Sequence, residues 1–326
     1  MRRLARMDPV VFDVADGITA IDTFYGGLER YTAAYLLDAR EPTIVETGPT
    51  TSAEHVKAGL DRLGIGRDDL AHIVVTHIHL DHAGGVGTLC GSYPKATVWV
   101  HERGAQHLAD PARLVASATR VYGEERMASL FGTVEPVPAQ RIQSVMDGSM
   151  IELGGRALTA TATPGHASHQ VALVDSATGV VFTGDALGIH PPDVPVLRPA
   201  TPPPEYDLEL AIGSIQKIRS LAGEVVLFSH FGPVRDVERI CDLAVERFRA
   251  WTESVRVAME TTHDIDEIVS VLEVEARHDV ETGSEAAIDL DRFEILAGVR
   301  MNAMGIMRYW DKRRERETAA AADHES

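Results

Sequence analysis

The run Thr76-His77-Ile78-His79-Leu80-Asp81-His82 sets three imidazoles and one carboxylate within six consecutive residues, directly behind the apolar run Ile73-Val74-Val75. An apolar run of that kind reads as a buried strand, so the polar side chains leave a strand end into a tight loop. Imidazole and carboxylate suit zinc, iron or manganese, and four such groups cannot all reach one small ion without strain. Two adjacent cations, roughly 3.5–4 Å apart, account for the cluster better than one.

A lone histidine on a strand is usually a packed or solvated residue, but this cluster does not stand alone. Thr163-Pro164-Gly165-His166, Phe182-Thr183-Gly184-Asp185 and Phe228-Ser229-His230 each follow a β-rich stretch, at 157–162, 180–182 and 225–228. Metal-type side chains recurring at strand ends, punctuated by Gly and Pro, describe a loop-built site on a rigid sheet scaffold.

In the order THIHLDHAGG, TPGHASH, FTGD, SHFG, the chain resembles the metallo-β-lactamase-fold hydrolases over roughly residues 10 to 235. That resemblance implies that His77, His79 and His166 hold a first metal, that Asp81, His82 and His230 hold a second, and that Asp185 bridges the two. It also implies a four-layer αβ/βα sandwich with the metal loops along one edge of the paired sheets. The true β-lactamases of this fold typically carry Cys near the place of Asp185, and the only cysteines here, Cys90 and Cys241, lie in helix-like contexts away from the strand ends. A hard carboxylate in the bridging place argues for a two-metal hydrolase rather than antibiotic hydrolysis. The flavin-linked diiron reductases of the fold usually have Glu where this chain has His79, and the chain lacks an appended flavodoxin-like domain. The chain resembles the glyoxalase II and lactonase branches, though the acidic C-terminal region shows no basic glutathione-binding cluster, which counts against glyoxalase II proper. Glu46, in Glu46-Thr47-Gly48, stands where the family often has Asp after a strand, a place from which it could orient a ligand histidine from behind.

The elements that must position these groups are readable in outline. Short strands are expected at 18–24, 32–38, 43–46 and 97–101, with a helix from Ser52 to Leu63 stopped near Gly64. Residues 103–131 read as helix in pieces, broken around Asp110-Pro111 and Gly123. Further strands are expected at 150–153, 157–162, 171–175 and 180–182, the last two joined by the hairpin-type turn Asp175-Ser176-Ala177-Thr178-Gly179. The fold class is therefore α/β, with an appended C-terminal helical region. From Asp236 onward apolar residues fall at helical spacing, in helices at 237–261, 265–276 and 289–316. Phe248, Trp251 and Val255 form one stripe and Ile295, Val299, Ala303 and Ile306 another, as packing faces do. The expected organisation is a metal-binding catalytic domain at 1–235, a helical cap or homodimer contact at 236–316, and a frayed tail at 317–326.

Between Asp185 and the helices lies a Pro-rich connection, with Pro191, Pro192, Pro195, Pro199, Pro202, Pro203 and Pro204. A long stiff loop leaving a ligand commonly shapes a substrate mouth. His190 and Tyr206 are the candidate substrate contacts within it; the competing reading is an exposed loop imidazole and a Tyr packed at a helix start.

Composition bounds the partners. A chain of 326 residues with 44% hydrophobic and 25% charged residues can bury a sizeable core. Its formal charge of −18 repels phosphate backbones, which counts against nucleic acid as a partner and against the nucleases that share the fold. Two cysteines give no disulfide framework, no apolar stretch is long enough to span a bilayer, and the start, at Met1 or Met7, shows no secretory h-region. A cytoplasmic protein with a small-molecule substrate and no membrane partner is expected.

The chemistry expected of two divalent cations, zinc first with iron or manganese as alternatives, is attack by a metal-bridging hydroxide on a carbonyl carbon. The chain has no GxSxG elbow, and such a centre needs no side-chain nucleophile. Asp81 is the expected catalytic residue, orienting the hydroxide and shuttling a proton to the leaving group. The leading function is hydrolysis of a small ester, thioester or lactone. The alternatives are a mono-iron persulfide or thiol oxygenase, against which the full set of seven ligands counts, and a signalling effector that retains the metal site.

Overall fold

Strand β3 (Ala33–Leu37) shows how the scaffold is built. Ala34 and Leu36 enter one apolar cluster while Ala33, Tyr35 and Leu37 enter another, so both faces of the strand are buried. The same division recurs at the strand before the imidazole run, where Ile73 and Val75 face one cluster and Val74 the other. Strands covered on both faces read as continuous apolar runs rather than alternating ones.

The computed structural model describes residues 8–191, 196–283 and 298–324. Met1 and Met7, Pro192 and Pro195, the stretch from Asp289 to 297 with Ile295, and the last two residues of the tail lie outside the described residues.

Sheet 1 has seven strands in chain order: β1 (Val11–Ala15), β2 (Ile18–Asp22), β3, β4 (Thr43–Val45), β5 (His72–Val74), β6 (Thr97–His101) and β7 (Ile142–Val145). The first four are antiparallel neighbours, whereas β4 to β7 run parallel. The carboxyl ends of β4 and β5 therefore share one edge, which brings Glu46 and Thr76 side by side. Sheet 2 is ordered β13-β12-β11-β10-β9-β8. Its strands are β8 (Met150–Glu152), β9 (Ala157–Ala162), β10 (Val171–Asp175), β11 (Val181–Phe182), β12 (Val226–Phe228) and β13 (Gly232–Val234). Only the β11–β12 pair is parallel.

One apolar cluster joins the sheets, with Ile18, Tyr35, Leu37, Val45 and Val74 from sheet 1 and Leu158, Leu173, Phe182 and Leu227 from sheet 2. The Tyr35 hydroxyl crosses the same interface, donating to the Phe228 carbonyl at 2.5 Å and accepting from the Gly232 N–H at 3.2 Å. On its other face sheet 1 carries α1 (Ala53–Arg62), whose Val56 and Leu60 join Ile21, Ile44 and Ile73. The short α2 (Leu80–Ala83) carries Asp81 and His82, and α3 (Val86–Ser92) adds Val86 and Leu89 to that cluster. Next come α4 (Glu102–Ala109), α5 (Ala112–Tyr122) and α6 (Glu124–Arg126), with breaks at Asp110-Pro111 and Gly123 as the sequence indicates.

The chain divides into two compact units. The first, residues 1–162, 169–184 and 221–235, contains both sheets. The second, residues 163–168, 185–220 and 236–326, holds α7 (Leu208–Leu221), α8 (Val237–Ala258), α9 (Ile265–Gly283) and α10 (Val299–His324). Within it Phe248, Trp251 and Val255 are buried, as are Val299, Ala303 and Ile306, so the helical stripes are packing faces. The second unit thus includes two stretches before residue 236, those that carry His166 and Asp185. The fold class is the α/β sandwich with C-terminal helices. None of the described helices is long and apolar enough to cross a membrane.

Candidate metal centre

The first unit gathers five of the seven expected ligands. His77 and His82 lie with ring centroids 4.0 Å apart, and His77 Nε2 faces His79 Nδ1 at 3.1 Å. His82 Nε2 faces His230 Nε2 at 3.1 Å, and Asp81 Oδ2 stands 3.6 Å from the first and 3.4 Å from the second. His77, His82 and His230 are buried. In the second unit His166 Nε2 lies 3.5 Å from Asp185 Oδ2, both side chains again buried.

These separations test whether a metal fits. A tetrahedral cation with metal–nitrogen distances near 2.0–2.1 Å has ligand-to-ligand edges of about 3.3 Å. Asp81, His82 and His230 present one ligand atom each within a common 4.8 Å span, at edges of that order. Buried imidazole nitrogens turned toward one another, with a carboxylate oxygen beside them, are a donor set that a divalent cation satisfies. The residues fit.

Behind the ligands runs a hydrogen-bond chain that fixes their orientation. His77 Nδ1 lies 3.0 Å from Thr76 Oγ1, and the Thr76 hydroxyl donates to Glu46 Oε1 at 2.5 Å. With its one proton committed to the carboxylate, Thr76 Oγ1 accepts from the imidazole, which places the proton on Nδ1 and leaves the Nε2 lone pair for a metal. Glu46 Oε1 also accepts from Ser229 Oγ at 3.2 Å and lies 3.4 Å from His82 Nδ1. Glu46 is buried and its backbone is left-handed at φ 66°, a strained setting for a residue other than glycine. Gly184 closes in on the same point: a Cβ there would come 2.7 Å from Thr76 Oγ1.

Other residues around the cluster and in the Pro-rich loop fall as follows. His169 stands in the first unit beside His77 and His79, with ring centroids 6.1 and 5.7 Å away. His190 Nδ1 lies 3.0 Å from the Val196 carbonyl, and burial pulls its pKa down. Tyr206 is fully buried in the second unit beside Phe248 and Tyr309, its hydroxyl 2.7 Å from Thr252 Oγ1. That is the packed-Tyr alternative among the readings of its sequence position. Burial raises the thiol pKa of both Cys90 and Cys241, so neither is poised as a nucleophile.

Three residues near the ligands were not singled out from the sequence. Thr76 and Ser229 each directly precede a ligand histidine, and a hydroxyl in that position is the only local signal they carry. Tyr25, after β2, is buried against Tyr31 and Phe131. Burial, and next the Asp81 charge, raise its hydroxyl pKa well above the ordinary value. No local pattern reports that proximity, which arises from sheet order.

Known proteins resemble this chain in sequence and in fold. The metallo-β-lactamase fold-containing protein ST1585 of Sulfurisphaera tokodaii is 32% identical over 172 residues, 51% of this chain and 62% of that protein. Its crystal structure superposes with a TM-score of 0.65 at 23% identity, covering 89% of this chain and 98% of that one. An acyl-coenzyme A thioesterase, MBLAC2 of Bos taurus, is 28% identical over 53% of this chain and 64% of its own length. The atrochrysone carboxyl ACP thioesterase of Aspergillus fumigatus is 25% identical over 59% of this chain and 48% of its own. The chain thus spans less than two thirds of the length of these relatives by sequence. The family profile of the metallo-β-lactamase superfamily matches residues 27–230, a stretch that runs from before the imidazole cluster to its last histidine, and the chain belongs to that superfamily.

Proposed function

We propose that the protein is a dinuclear metal-dependent hydrolase of a small acyl compound, with thioesters the first class to test and esters and lactones beside them. In this reading His77, His79 and His166 hold one divalent cation, Asp81, His82 and His230 the other, and Asp185 bridges them, as the family order of the motifs suggests. Two such cations, when bound, supply an acidified water and polarise a carbonyl oxygen. The observation that carries the reading is the buried imidazole nitrogens of His82 and His230 facing one another at 3.1 Å with the Asp81 carboxylate beside them.

The chain's own groups have distinct tasks. Thr76 and Glu46 hold His77 in one tautomer. Asp81 is 14% exposed where His82 and His230 are almost sealed, so its carboxylate is the group able to pass a proton between the centre and a leaving group. The carboxylate at Asp185 is a ligand that zinc, iron and manganese all accept. The thioester preference rests on the activities carried in the names of the bovine and Aspergillus relatives. The charge of −18 disfavours nucleic acid as substrate, and the two thiols, both free and buried, suit a reducing compartment such as the cytoplasm. The ligands fall within residues 77–230, so residues 1–235 are proposed to carry the reaction, with zinc the first metal to test.

The deciding experiment is metal analysis of the purified protein with turnover of a panel of acyl thioesters, lactones, phosphodiesters and persulfides. Two metals per chain with metal-dependent thioester or lactone cleavage supports the reading. A single iron with persulfide oxidation, or metal without any turnover, refutes it.

A further inference from the structure

Ligand His166 is oriented from its rear nitrogen by a backbone carbonyl, and that carbonyl is tied to the last helix. His166 Nδ1 lies 2.9 Å from the Ala200 oxygen, so its proton sits on Nδ1 and Nε2 is left to face Asp185. The next residue, Thr201, is clamped by Asn302 of α10. The Thr201 N–H donates to Asn302 Oδ1 at 2.7 Å, and the Thr201 hydroxyl lies 2.7 Å from the same oxygen and 3.2 Å from the Asn302 carbonyl. Ala200, Thr201 and Asn302 are all buried. Helix and loop meet in backbone contact, because a Cβ at Gly305 would come 1.8 Å from the Thr201 oxygen. The loop has a second tie, the two-way backbone pairing of Ile189 with Arg198, at 2.9 Å in each direction. The peptide at Ala200 therefore has little freedom to turn its carbonyl away from the imidazole.

We infer that Asn302 is a positioning residue for the metal centre: by fixing the Ala200–Thr201 peptide it holds the His166 imidazole in the tautomer and direction that bind metal. The inference rests on the reading of His166 as a ligand. It gives helix α10 a task in metal binding rather than only in packing. Loss of such an outer hydrogen-bond partner typically lowers metal affinity about 10–100-fold.

The test is zinc competition titration of the full-length, metal-stripped protein, with the cobalt-substituted absorption spectrum as a geometric readout. Asn302→Ala and Thr201→Val should weaken one of the two zinc ions about 10–100-fold, leave the other unchanged and alter the cobalt bands. Thr201→Ser should restore both affinities. Trp310→Phe removes a different hydrogen bond of the same helix, from Trp310 Nε1 to the Thr252 carbonyl at 2.9 Å, and should leave both zinc affinities alone. If Asn302→Ala fails to fold, the Thr201 pair carries the test. Thr201→Val with both affinities and the spectrum unchanged, or Trp310→Phe weakening zinc as much, overturns the inference. His166→Ala separates the two layers: retention of both zinc ions would overturn the ligand assignment and the inference with it, whereas loss of one zinc with unaltered Thr201 variants would overturn the inference alone.

Discussion

Thr76 gives its hydroxyl proton to Glu46 across 2.5 Å while standing 3.0 Å from His77 Nδ1. A neutral hydroxyl thus passes the preference of a buried carboxylate on to an imidazole that the carboxylate does not itself touch. The Thr intermediary fixes the tautomer and leaves the Nε2 lone pair, the donor a metal requires, pointing away from it.

Replacing Thr76 by Val keeps the shape and removes that link. Zinc affinity should fall about 10–100-fold while Thr76→Ser stays near the parent value. Competition titration against a chromogenic chelator measures both, and equal affinity for Val and Ser would show that the hydroxyl has no part in holding the ligand.

Asp185 and His169 should separate cleanly. Asp185→Ala is expected to lower metal content and abolish hydrolysis, because its carboxylate stands 3.5 Å from the His166 imidazole. His169→Ala, whose ring lies 6.1 Å from His77 by centroid, should keep both metals and lose activity only in part. Metal content of the two folded variants decides it, and similar loss in both would reverse the ranking.

Tyr206→Phe is expected to act on stability, not on turnover. Its hydroxyl already meets Thr252 Oγ1 at 2.7 Å within packed surroundings, so the variant loses one buried hydrogen bond, about 1 kcal/mol. Urea unfolding should show that loss with KM unchanged. A raised KM at unchanged stability would return Tyr206 to the substrate contacts.

Acid should weaken the fold through imidazoles whose pKa partial burial lowers. Burial lowers the pKa of His190, opposed by the Val196 carbonyl and aided by Arg239, and burial likewise lowers His55 and His101. An unfolded histidine titrates near ~6.5. Just below that pH the unfolded chain therefore binds more protons than the folded one, so stability rises with pH and is lost on acidification through the depressed folded values. His190→Asn, which can still donate to Val196, should make the decline below pH ~6.5 shallower. Unfolding midpoints across that range test this, and a decline parallel to the parent would remove His190 from the account.

The strands not foreseen in the sequence share a physical setting, although one edge strand, β8, was foreseen. β9 and β10 are interior strands, and their limits at 157–162 and 171–175 are those the apolar runs indicate. The unforeseen strands, β1, β7 and β13, all lie at sheet edges. An edge strand needs less apolar surface and tolerates Pro or polar residues, as Pro233 in β13 and Gln143 and Ser144 in β7 show. The candidate ligands were readable because imidazoles and carboxylates at strand ends are rare and cluster in sequence. Asn302 was not, because a buried amide on a helix has no sequence signature of its own; only the path of the Ala200–Thr201 loop gives it a task.

The Tyr35 hydroxyl bonds on either side of His230, to the Phe228 carbonyl before it and the Gly232 N–H after it. Tyr35 and Phe228 are 193 residues apart in the chain. The Asp81–His82–His230 set therefore comes into being only when a very long loop of the first unit closes, a slow event for contacts of such separation. Capture of a cation at this set would thus mark the end of folding rather than its beginning, and a bound ion would then hold the finished state by mass action.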